Sequence, residues 1–496
     1  MEWLRVDWVC RAAFVFTTVS LSSCGDDSNP GTDEPTSTGP AGVSSSGPTP
    51  APDTDATSLP GSSGPGAAST TAVADDTTAD ETGSPIKLDV GGGQDGNTVR
   101  LTGRVVAPNG EIPIAGALVY VTGQPPAGIP DGVYCDECQV LGPNDAYAVT
   151  APNGTFEILA GAGLSGGSLS LVVKKGQFMR IEPFEITVES GEQAVSEAQT
   201  RLPSVYDPAV GHYIPRIALG YASFADRLED VLAKFGLGQL QIVGAGEKLV
   251  PGTEPFDIFE NGGGNGGFNT PGTIADLVSD PDWLDDYHIV FLPCSGNTHA
   301  GVLDMTRIQN IRDWVAAGGR WYASDYSNEW LEHVFPDYQT LVGEPDNADG
   351  GSYSSTATIL DDGLLAWLDA LPADYKDINP VNPGLGYPTL NTLPTVETVG
   401  NYSTVASVAQ IFVPDGMGGQ VDVGHKVWLE GPGGGVVGDH PLTIAGTFGC
   451  GRLQFTSYHT TSGGSYYGLT PQELVLLYTI LEIGVCQENP LPPPLG

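Results

Sequence analysis

Between residues 98 and 203, apolar positions come in short alternating or β-branched runs punctuated by Gly, Pro and Asn. The runs are Val99–Val106, Ala117–Val121, Gly154–Ile158, Leu169–Val173 and Phe184–Val188, with the turn Pro108-Asn109-Gly110 after the first. Short strands at such spacing, with no helical period between them, predict a small antiparallel β-sandwich. After residue 214 the pattern changes. Ile214–Gly220, Tyr287–Leu292, Arg320–Ser324 and Gly451–His459 read as strands buried on both faces. Between them lie helical periods: Phe224, Leu228, Val231, Leu232 and Phe235 before Gly236, and Ile308, Ile311 and Val315 between a capping Asp304 and Gly318-Gly319. Near the end, Thr470-Pro471 with Glu473 forms a capping box ahead of Leu474, Leu477, Tyr478 and Leu481. Strand and helix alternating through short turns predict a parallel sheet of flavodoxin-like α/β type, with functional residues at the carboxyl ends of strands.

The first hundred residues belong to neither pattern. Arg5 and Arg11 precede a short apolar run that begins at Ala12 and reaches Leu21, too short to cross a bilayer and suited to a secretory signal. That run ends in Leu21-Ser22-Ser23-Cys24, which resembles the lipobox of bacterial lipoproteins. The resemblance implies removal of residues 1–23 and acylation of Cys24, a lipid anchor in the cell envelope, at the outer membrane or cell surface. Residues 24–97 are Ser, Thr, Pro, Gly and Asp with few large apolar side chains, so they are expected to stay disordered and act as a tether. The predicted organisation is therefore multidomain: signal 1–23, tether 24–97, sandwich 98–203, α/β domain 214–486 and a Pro-rich tail 487–496.

Charge narrows the partners. Sixty acidic against 19 basic side chains give a formal net charge of −41. That excludes a nucleic-acid binder working by phosphate neutralisation and a basic patch on anionic lipid. Nothing in the composition implies a cofactor, and a metal-ligand role for Asp325 beside His459 and Glu329 is outweighed by a helix-capping one. The acids Asp280, Asp282, Asp285 and Asp286 read as a solvated face, and Asn261–Gly267 as a loop lacking the lysine of a phosphate cradle. Oligomeric state is not legible.

Export makes disulfides possible. Cys135 and Cys138, three residues apart, are expected to close a loop. Cys450 and Cys486 are expected to pair because the last helix runs back along its strand. Cys294 is left over at the opposite edge.

Two resemblances extend this picture. Gly103–Val106, Ile114–Val119 and Asn153–Phe156 resemble carboxypeptidase regulatory-like (transthyretin-like) domains, whose wider superfamily includes sugar-binding modules. Ile289–Gly296, Trp314–Asp325 and Gly451–His459 resemble the class I glutamine amidotransferase-like superfamily, including its trehalose-utilisation-like relatives. In catalytic members the strand after the Gly-Gly turn ends in an elbow cysteine. Here that place falls at Ser324-Asp325-Tyr326. His459 matches the family histidine, but Thr460-Thr461 follow where a glutamate is expected. The family triad is thus incomplete. The candidate catalytic residues are Cys294, His459 and Asp325, with His299 as another partner for the thiol; a helix-capping role competes for Asp325. Tyr326, Trp330 and Tyr458 are candidate ligand-binding aromatics, suited to stacking on sugar. The leading expectation is a non-catalytic binder of a ligand such as an envelope polysaccharide. The rivals are a cysteine-dependent hydrolase or amidotransferase-like enzyme and a structural envelope protein.

Overall fold

The computed structural model describes residues 98–483, apart from 162–163, 165–167, 222–225, 263, 296–302, 344–351 and 461–465, together with 493 and 494. The signal, the tether, Cys24, His299 and Cys486 lie outside the described residues. Among those described, no helix is long and apolar enough to cross a membrane.

The amino-terminal part forms two small sheets. One is antiparallel throughout, in the order Ala146–Val149, Leu118–Thr122, Leu169–Lys175, Phe178–Phe184, His212–Tyr213. The other places Val99–Arg104 between Thr155–Ala160, antiparallel, and Gly191–Ala194, parallel. The strand expected at Phe184–Val188 instead spans Phe178–Phe184. Its cause is a two-residue hairpin: Lys175 faces Phe178, and Gly176, at φ +54°, supplies the left-handed turn position.

A nine-stranded sheet dominates the rest. Its order is Asp257–Glu260, Ile217–Tyr221, Ile289–Leu292, Arg320–Ser324, Gly451–Thr456, Asp439–Phe448, Lys426–Pro432, Tyr353–Ile359, Thr395–Asn401. The first five are parallel. The last four add antiparallel neighbours, so the sheet is mixed rather than wholly parallel. A tight turn dictates the switch. Phe448 faces Gly451 across Gly449-Cys450, and so short a connection can only join antiparallel strands.

The central strands show why their runs are continuously apolar. Ile289 and Phe291 enter one core while Val290 and Leu292 enter another, and Tyr322 opposes Trp321 and Ala323 in the same way. Both faces are covered. Helix Met305–Ala317, capped by Asp304 accepting from Arg307 N, lies on one. Helices Leu228–Phe235, Asp362–Ala370 and Pro471–Ile483 lie on the other. The apolar side chains of the two small sheets join that second core directly. The seam is also hydrogen-bonded: Trp367 Nε1 donates to Pro113 O at 2.8 Å, and Asn109 N to Phe235 O at 3.0 Å. Gly236 ends its helix at φ +110°, and a Cβ there would sit 2.3 Å from Asn109 N, so that contact needs glycine.

The cysteines pair differently from expectation. Cys135 bonds to Cys450, 315 residues away, and Cys138 is disulfide-bonded to neither of them. The loop carrying Cys135 is pressed against the amino ends of the parallel strands, where Asp136 meets Arg320 at 3.5 Å and Tyr134 O fills the space beside Gly318. Cys135 therefore reaches the Gly449-Cys450 turn rather than its near neighbour, and Cys450 is not available to Cys486.

Candidate functional site at the carboxyl edge of the sheet

Three adjacent strands deliver the residues that matter. Cys294 follows Ile289–Leu292 by two positions, Asp325 follows Arg320–Ser324 directly, and His459 lies three past Gly451–Thr456. Because these strands are parallel and neighbouring, their ends converge. One donor atom from each of Cys294, Asp325 and His459 lies within 4.8 Å of the others. The three residues are 0%, 0% and 3% exposed. The sequence brought all three forward as candidates; the structure places them together.

Asp325 does not cap the following turn. Its Oδ1 accepts from Tyr402 N at 3.1 Å and Ser403 N at 3.0 Å, and its Oδ2 accepts from His459 Nδ1 at 2.8 Å. Burial raises its pKa, opposed by the imidazole and the two amides. It is the only non-glycine among the described residues with positive φ, at +48°. A carboxylate held in a disfavoured backbone state is an observation that points toward function. After His459 the sequence has Thr460-Thr461 where an orienting acid is expected. The carboxylate that meets His459 comes instead from Asp325, at the end of the neighbouring strand.

With Nδ1 donating to Asp325, the neutral ring of His459 carries its lone pair on Nε2. The ring stacks on Tyr402, with centroids 6.2 Å apart and planes at 19°, and Tyr402 in turn meets Tyr326 at 5.0 Å. Gly400 lies beside Cε1 and Nε2, where a Cβ would approach to 3.2 and 3.4 Å. Gln472 Nε2 donates to the His459 carbonyl from the last helix.

A second acid, not singled out from the sequence, knits the strand ends. Asp226 is buried just before helix Leu228–Phe235. Its Oδ2 accepts from Ser324 Oγ at 2.7 Å and Cys294 N at 3.3 Å; its Oδ1 accepts from Thr460 N at 3.0 Å. Cys294 N also donates to Ser324 Oγ at 2.9 Å. An acid before a helix reads locally as a cap, so nothing in the sequence distinguished it.

The aromatic expectation fails for two of three residues. Trp330 and Tyr458 are buried. Trp330 packs against Trp321, whose Nε1 donates to its carbonyl at 3.0 Å, and the Tyr458 hydroxyl bonds Thr443 Oγ1 at 2.6 Å. Their ring faces are core and offer no stacking surface. Tyr326 alone of the three is partly exposed. A cavity of about 260 Å³, lined by Arg312, Phe335, Tyr338, Phe448 and Pro494 among others, includes none of the candidate residues.

No family model matches the chain, and no curated protein matches it. Among solved structures it is similar to a cytoplasmic protein of Salmonella typhimurium, at 13% identity and a TM-score of 0.27, covering 54% of this chain and 98% of that one. A second cytoplasmic protein, from Salmonella typhimurium LT2, is 12% identical with a TM-score of 0.25, over 55% of this chain and 97% of that one. A ThuA-like protein from Bacteroides uniformis is 10% identical with a TM-score of 0.26, over 44% of this chain and 77% of that one.

Proposed function

We propose that this is a lipid-anchored envelope protein whose amidotransferase-like, flavodoxin-like domain binds a ligand at the carboxyl edge of its sheet without hydrolysing it. The order of the five parallel strands, second-first-third-fourth-last in chain sequence, supports the flavodoxin-like reading. One observation carries the binding reading: the elbow holds a carboxylate. Asp325 is tied to two amides and an imidazole there, while the thiol sits on the neighbouring strand, buried, with its own amide engaged by Ser324. A nucleophile needs an exposed approach and amides aimed at the developing oxyanion. The burial of Trp330 and Tyr458 removes the feature that favoured carbohydrate as the ligand.

The rival is a thiol hydrolase with Cys294 as nucleophile, His459 as base and Asp325 as orienting acid. The 2.8 Å contact between Asp325 and His459 favours it. Iodoacetamide labelling between pH 6 and 8 separates the two. On the binding reading Cys294 alkylates slowly, and His459→Ala does not slow it further. Fast labelling that drops by about 100-fold without His459 would establish an activated thiolate and the enzyme reading.

The anchor rests on the Leu21–Cys24 motif. Growth with labelled palmitate is expected to mark the full-length protein and not its Cys24→Ala variant. Label that persists in the variant removes the lipoprotein assignment.

A further inference from the structure

The donor set at the sheet edge points to a ligand class. We propose that Cys294, His459 and Asp325 together bind one thiophilic divalent cation of the zinc type. The proposal rests on the binding reading above and gives its ligand a chemistry.

The three side chains supply one sulfur, one imidazole nitrogen and one carboxylate oxygen, within 4.8 Å of one another. A tetrahedral ion holds sulfur at about 2.3 Å and nitrogen or oxygen at about 2.0–2.2 Å, which sets its ligand atoms roughly 3.3–3.6 Å apart. The present separation of His459 Nδ1 and Asp325 Oδ2, 2.8 Å, has to open by about half an ångström, and the sulfur has to close in. Burial supplies the motive. A thiolate and a carboxylate carry two negative charges, which a divalent ion neutralises in place; the thiol proton leaves to solvent, and the ring proton passes from Nδ1 to Nε2 through solvent, so that the neutral imidazole ligates through Nδ1.

The same set chooses the metal. Calcium and magnesium take six or more oxygens, and only one carboxylate is offered here. A thiolate with an imidazole selects zinc, cobalt or cadmium. Outer contacts already hold the Asp325 carboxylate and the Cys294 backbone, as metal sites require. Tyr402 and Ser403 amides hold the second oxygen of Asp325, and Ser324 holds the amide of Cys294. Three protein ligands leave the fourth position for a water enclosed with the ion.

The test uses the mature full chain, stripped with a chelator and titrated with Co²⁺, then with Zn²⁺ against a chromophoric competitor. The expected result is one equivalent of Co²⁺ per chain with a thiolate-to-metal charge-transfer band. Cys294→Ser is expected to abolish the band, and His459→Gln and Asp325→Asn each to weaken Zn²⁺ binding by roughly 100-fold or more while circular dichroism stays unchanged. If a variant fails to fold, the wild-type stoichiometry and band still decide. A folded wild-type chain that takes up no stoichiometric metal overturns the proposal, as does a cobalt spectrum indifferent to Cys294→Ser. Absent metal together with slow alkylation of Cys294 discards the cation alone and keeps a binding site. Absent metal with fast, His459-dependent alkylation discards both readings.

Discussion

Replacing Cys135 and Cys450 together by serine is expected to lower the stability of the folded body by about 4 kcal/mol, near the top of the range for native bridges. The bond joins positions 315 residues apart, so in the unfolded chain it removes far more freedom than a three-residue clip between Cys135 and Cys138 could. In the folded chain it fastens the loop of the small antiparallel sheet to the Gly449-Cys450 turn of the large one. Losing it also loosens the ion pair of Asp136 with Arg320 and the fit of Tyr134 O against Gly318. The measurement is denaturant unfolding of the wild type and the double variant under non-oxidising conditions, beside a non-reducing peptide map of the wild type. A map that joins Cys135 to Cys138, or a double variant as stable as the wild type, would contradict the arrangement.

Glu229→Gln is expected to stabilise the protein in alkali and do little in mild acid. Glu229 lies on helix Leu228–Phe235 with its side chain 1% exposed, 3.0 Å from Arg227 Nη2. Burial pushes its carboxyl from 4.5 up to about 8; Arg227 works against the rise, and the neighbouring Asp230 and Asp226 add to it. The folded state therefore holds this proton more tightly than the unfolded state. The stability that the protonated form contributes is complete below pH 4.5 and is lost as the pH climbs through about 8. Above that, the wild type keeps a buried carboxylate at a cost of roughly 3–5 kcal/mol. Glutamine resembles the protonated form at every pH. Unfolding free energies at pH 5, 7 and 9 are expected to diverge steadily, with the variant the more stable at pH 9. Parallel pH profiles would mean that Arg227 already neutralises Glu229 in the folded state.

What could be read from the chain was set by neighbours in sequence. Asp304 and Gly318 bound their helix because capping depends on a few adjacent amides. The runs at Ile289–Leu292 and Arg320–Ser324 read as buried strands because a strand covered on both faces must be apolar throughout. The same local order put Cys294, Asp325 and His459 near strand ends, which made them candidates before any fold was known. The Gly176 hairpin and the Gly449-Cys450 turn were equally local. Their glycines went unread, and with them the Phe178–Phe184 strand and the antiparallel half of the large sheet.

Tertiary structure decided everything that depends on distant segments arriving at one place. Cys135 met Cys450 because a loop from one sheet reaches the amino edge of another, a distance that no cysteine spacing encodes. Asp325 became the partner of His459, and not a helix cap, because Tyr402 and Ser403, just past the antiparallel strand Thr395–Asn401, hold its other oxygen. Asp226 became the tie between Ser324, Cys294 and Thr460 for the same reason. Trp330 and Tyr458 are aromatic in sequence and core in space. Residue type fixes which interactions a side chain can make. Which of them it does make depends on what the rest of the chain leaves within about 3 Å.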